Sequence, residues 1–180
     1  MFRTLTGRGL AVVSALLAVI FGPLSLASAS ATPSDPVPYR VVAARGNWTD
    51  PGPVIDTATP RADGKFDVVA HGGTHSTGTF AGDSTYQMKL VYDPATGLVV
   101  GTDVETWTAS IAGRGSGHLT FVEHAHEDGD GSTRVTGVVT GGDGVFTGAT
   151  GLAVWTGSFI PGPTPSAGSG IYTMVLGLTR

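Results

Sequence analysis

A chain of 180 residues with a net charge of −4 and only 13% charged residues has no basic stripe to set against phosphate, which excludes a nucleic-acid partner. It contains no cysteine, so it has neither a disulfide framework nor a cysteine to lipidate. Stability must come from burial and hydrogen-bonded secondary structure.

Arg3 and Arg8 precede an apolar run over 10–21, Pro23 ends it, and the small residues Ala27, Ser28, Ala29, Ser30 and Ala31 follow. This predicts a secretory signal peptide over residues 1–31, cut after Ala29 or Ala31. A run of about a dozen residues falls short of the about 20 that a bilayer-spanning helix needs. The expected product is a secreted protein of about 150 residues, with one hydrophobic core and no stable membrane anchor after cleavage.

Residues 32–64 read as an extended, proline-rich leader followed by an irregular segment. Pro33, Pro36 and Pro38 open it, Pro51, Pro53 and Pro60 interrupt its second half, and a short strand fits over 39–44.

From residue 65 to 180 short β-branched runs alternate with Gly, Asp and Pro, with no sustained helical period, which predicts an all-β domain. Eight strands are expected, over 65–70, 74–80, 84–92, 98–111, 117–126, 132–140, 152–159 and 170–178. Hairpin turns are expected at 81–83, 93–97, 112–116 and 127–131. Eight consecutive antiparallel strands with no helix to cover a face are best stabilised by closure into a barrel, which can hold one small ligand. Over 138–151 a valine pair runs into a bend containing Gly141, Gly142, Gly144, Gly148 and Gly151, with Phe146 expected to plug the interior.

Alternation selects candidate interior residues. Tyr86, Met88, Leu90 and Tyr92 share one face; on the next strand Val99, Trp107 and Ile111 share a face with Asp103 and Glu105. A carboxylate on an apolar face suits acid–base work, because burial moves its pKa toward neutrality. Glu105 and His124 are therefore the candidate catalytic residues. Tyr86, Met88, Trp107, Phe121 and Glu123 are the candidate cavity lining. Glu123 and His124 are adjacent on a strand, so only one of them enters the interior.

Other motifs fail on chemistry. The glycines of 142–148 lack the dinucleotide spacing and the helix it needs. Ser84 has no histidine downstream of His126 to act as its base. Asp128, Asp130 and Ser132 lack the distal glutamate of a calcium loop. His124 and His126 supply only two ligands on one face, where a metal needs three or four. No metal or cofactor is expected.

Four motifs in order, Gly82-Asp83-Ser84-Thr85, Gly113-Arg114 with Gly117, Phe121-Val122-Glu123-His124, and Val138-Val139 leading to Gly142, Gly144, Phe146, Gly148, Ala149 and Gly151, resemble the bacterial allene-oxide-cyclase-like barrel proteins of unassigned function. The bend is also similar to the corner in plant allene oxide cyclases and dirigent proteins. The resemblance spans 74–178 and implies an eight-stranded antiparallel barrel with an interior cavity, without implying cyclase activity. Three functions stay open: a barrel that binds a small apolar or amphipathic molecule with Glu105 as its polar anchor, a cofactor-free isomerase or cyclase, and a structural barrel with no ligand. The oligomeric state is open as well.

Overall fold

The computed structural model describes residues 39–160 and 166–179. The expected signal peptide over 1–31 and the leader up to Pro38 lie outside the described residues. Ten strands carry the fold: β1 (Tyr39–Asp50), β2 (Val54–Pro60), β3 (Phe66–Gly72), β4 (His75–Gly78), β5 (Phe80–Asp93), β6 (Leu98–Ile111), β7 (Gly115–Glu127), β8 (Ser132–Gly142), β9 (Thr150–Phe159) and β10 (Gly168–Thr179). A 3-10 turn, Gly144–Phe146, joins β8 to β9.

All pairings are antiparallel. Strands β5 to β10 follow one another as a meander, β10 pairs with β1, β1 with the short β4, and β4 with β5, so that eight strands close a ring. The expected closed eight-stranded barrel is the observed fold, with one change of membership. The stave between β10 and β4 is β1. Strand β3, expected in the ring, instead pairs with the C-terminal half of β5 and carries β2 on its far side.

The expectation of an irregular 32–64 is thus corrected from Tyr39 onward. Along β1 the residues Val42, Ala44, Trp48 and Asp50 are buried, while Val41, Ala43, Arg45, Asn47 and Thr49 are exposed. The period of two is complete, but its inward set includes Ala44 and Gly46, too small to stand out as an apolar stripe. A second correction concerns 81–83, which lie inside β5; the chain reverses at Thr79 instead.

Gly46 sits opposite Gly78 where β1 meets the short β4. A Cβ there would overlap the Thr77 carbonyl oxygen and come within 2.7 Å of the Tyr172 hydroxyl. Gly46→Ala is therefore expected to cost about 2 kcal/mol or more by forcing the joint apart. Equilibrium urea unfolding checks this, and an unchanged midpoint would mean that the joint tolerates a side chain.

The two ends of the barrel differ. At the end holding the 3-10 turn, Phe80, Trp107, Leu119, Phe121, Phe146 and Tyr172 are fully buried in one cluster. Phe80 is its centre, meeting Trp107, Phe146 and Tyr172 edge to face at centroid distances of 5.3, 5.9 and 6.2 Å. The Tyr172 hydroxyl accepts from the Phe80 backbone N–H at 2.9 Å and donates to the Phe80 carbonyl at 2.6 Å, so the deepest phenol is satisfied. This end is a solid floor. Toward the other end the inward positions include the smaller Gly101, Ala125, Thr133 and Val135. Space opens there.

Candidate functional site

Above the floor lies a cavity of about 520 Å³, within the size range of small-molecule sites. Its walls are mainly apolar, with Trp48, Met88, Leu90 and Trp155 from the ring and Ile55 and Phe66 from the β2–β3 pair outside it. Six carboxyl groups interrupt these walls: Asp50 from β1, Asp103 and Glu105 from β6, Glu123 and Glu127 from β7, and Asp128 just after β7. Register explains the grouping. Tyr86, Glu105 and Phe121 are directly opposed across β5, β6 and β7, and one step higher Met88, Asp103 and Glu123 form the next row.

Glu105 lies just above the aromatic floor and is buried. Ser84 Oγ donates to Glu105 Oε1 at 2.6 Å, and the Thr74 backbone N–H donates to Ser84 Oγ at 2.8 Å. Burial dominates its titration and, with the neighbouring Asp103 charge, outweighs the serine, so the carboxyl is pushed up to about 7. The Trp107 indole N–H sits near this carboxyl but closes no hydrogen bond at normal distance. Ser84 is thus a hydrogen-bond donor to an acid, and no histidine accompanies it.

Asp103 and Glu123 face each other in the next row. Burial raises both, Asp103 to about 6 and Glu123 well above the usual glutamate value, and the Glu105 and Asp103 charges raise Glu123 further. Two carboxylates this close in a buried site cannot both ionise cheaply. Glu123 keeps the proton and hydrogen-bonds Asp103, which favours the charged form of Asp103. Opposite Glu123 on β8 is Gly137, where a Cβ would come to 2.8 Å from Glu123 Oε1 and 3.0 Å from the Trp155 ring. The missing side chain is the room the carboxyl occupies.

On the other wall Tyr86 Oη donates to Asp50 Oδ2 at 2.8 Å, and the Gly52 N–H donates to Asp50 Oδ1 at 2.6 Å. Burial raises Asp50 despite these donors, and burial with the Asp50 charge pushes the Tyr86 phenol up, so it stays a donor. Nearer the mouth, burial alone pushes Glu127 up to about 7.

The sequence-selected residues divide cleanly. Glu105, Glu123, Tyr86 and Met88 all reach the cavity. Trp107 and Phe121 do not: both are fully buried in the floor, so their place as lining is corrected, because Phe80, Leu119, Phe146 and Tyr172 fill the interior around and below them. His124 is also corrected. It points outward and is exposed, since Glu123 shares the inward parity of Leu119 and Phe121. His71, His75, His118 and His126 likewise lie on the outer surface, against Asp56, Asp83, Asp143 and Asp128 respectively. Sequence reasoning passed over four cavity carboxyls, Asp128 in the turn after β7 among them. Asp103 shared the face of Glu105 but was not selected, Asp50 lay in a segment read as irregular, and Glu127 was assigned to a turn.

Neither a known protein family nor any curated protein matches the chain. Among solved structures it is similar to the pterocarpan synthase dirigent protein GePTS1, with 14% identity over 86% of this chain and 100% of that one, at a TM-score of 0.48. The likeness is a distant one between β-barrels.

Proposed function

We propose that the protein binds one small, largely apolar molecule in the upper barrel, anchored by the buried carboxyls. The observation that carries this reading is a cavity of about 520 Å³ with mainly apolar walls interrupted by a few carboxyl groups, the most deeply buried of them low in the cavity. An interior built only for stability would continue the aromatic packing of the floor upward. The leader features of residues 1–31 support action outside the cytoplasm, and the order of the glycine and Glu-His motifs supports a place among the bacterial allene-oxide-cyclase-like barrels.

A second reading, cofactor-free proton transfer in an isomerase or cyclase, is favoured by Glu105. A carboxyl pushed up to about 7 beside a cavity can give or take a proton near neutral pH.

Nile red, a neutral apolar dye, tests the binding reading. It should brighten and shift to the blue on saturating a single site per chain. Ala125→Trp, which fills the cavity from β7, should remove the response with the fold intact by circular dichroism. Dye binding that persists in Ala125→Trp would place the site elsewhere. If the protein turns a ligand over, Glu105→Gln should abolish turnover while binding remains.

A further inference from the structure

The titratable groups lining this cavity are all of one kind. Asp50, Tyr86, Tyr92, Asp103, Glu105, Glu123, Glu127 and Asp128 border it, and among the described residues no lysine, arginine or histidine does. Where buried carboxylates occur in proteins they are ordinarily paired with a cation or fully hydrogen-bonded. Here they are not. Asp103 and Glu123 are 6% and 3% exposed, and Asp103 Oδ1 and Glu123 Oε1 each lack a donor. A proton shared between the two carboxyls satisfies one acceptor and leaves the cluster without a counter-charge inside the cavity; the charge of His124 acts on Asp103 only from the outer face of β7.

From this we infer that the cavity is built for an organic ammonium: a primary or secondary amine carried on an apolar, preferably aromatic, body. The assignment rests on the binding reading above and narrows it to a ligand class. An ammonium group brings the two things the site lacks, a positive charge and several N–H donors, and charge-assisted hydrogen bonds to carboxylates are the strong ones. The Trp48, Tyr86 and Trp155 rings flank the acids and suit a cation as well as an apolar body. A bare metal ion fits less well, because among the described residues no three His, Asp or Glu side chains converge as a metal site. A carboxylate or phosphate ligand meets like charge on every polar wall, and a neutral ligand leaves the charge uncompensated. Binding also displaces the carboxyl protons, so affinity for the amine should rise with pH across the range in which these acids ionise.

Three ligands with one apolar body separate the possibilities by calorimetry at about pH 7.5: 1-naphthylmethylamine, 1-naphthylmethanol and 1-naphthoic acid. The amine is expected to bind about tenfold or more tighter than the alcohol, and the acid weakest. Lowering the pH to about 5.5 should erode the amine's advantage and leave the alcohol unchanged. The variant combining Asp103→Asn with Glu123→Gln should remove the preference and retain alcohol binding, which also shows that the cavity is still formed; the single Glu123→Gln change gives a partial loss. An amine that binds no tighter than the alcohol, or a preference that survives the double variant, overturns the assignment. Nile red bound without the amine overturns the ammonium alone. Failure of both overturns the cavity reading itself.

Discussion

Raised from pH 5 to pH 8, the protein is expected to lose stability, on the order of 3 kcal/mol, rather than gain it as most proteins do on leaving acid. Asp103 and Glu105 titrate in the folded chain at about 6 and about 7, against unfolded values near 4, and Glu123 lies higher still. A carboxyl raised by folding binds its proton more tightly in the native state. Its contribution is fully present below the unfolded value and is lost as pH climbs through the folded one. The fall therefore belongs to the window from about 4 to above 7. The acids with lowered values, Asp93, Asp130 and Asp143, lie outside the cavity and act in the opposite sense only at lower pH. Urea midpoints measured across the window should drop by roughly 1.5 M for a protein of this size. Glu105→Gln should flatten the fall, and a profile that rises with pH would contradict the arrangement of interior acids.

At the opposite end of the barrel, Phe146→Ala is expected to cost about 3–5 kcal/mol. The ring is fully buried beneath the strands, held edge to face against Phe80, and its backbone is pinned in the bend by the Phe146 N–H to the Asp143 carbonyl at 2.9 Å and the Ala149 N–H to the Phe146 carbonyl at 2.9 Å. The bend cannot easily move to refill the hole, so the cavity term adds to the lost transfer energy. Chemical denaturation measures the loss. Nile red binding by the variant in the absence of denaturant should be unchanged, because the floor lies below the carboxyls; a loss under about 1 kcal/mol would show that the bend carries no closing role.

The contrast between these two ends explains what the sequence discloses. Alternation in 98–111 puts Asp103 and Glu105 on the face of Trp107 and Ile111, and that face is the interior. It does not say how high each residue stands in the barrel, so Trp107 and Phe121 read as lining although they are floor. Height is set by register with neighbouring strands, which is a long-range property. The Glu123–His124 choice was legible in principle, because Leu119 and Phe121 share the parity of Glu123. β1 was hidden by small inward residues, and with it went Asp50. The glycine bend announced a corner and its buried phenylalanine, and it is both.

The β2–β3 pair, hung on the upper half of β5, walls the cavity without belonging to the ring. All seven residues of β2 are exposed, and its far edge pairs with nothing among the described residues. An open edge of this kind is a template on which a second chain can add a strand and begin to aggregate. Pro53 before β2 and Pro60 at its end withhold backbone donors, and the register shift between Ile55 and Thr57 around Asp56 breaks the ladder at its middle. The prolines that made this segment look structureless are thus a guard on an edge that the closed barrel does not remove.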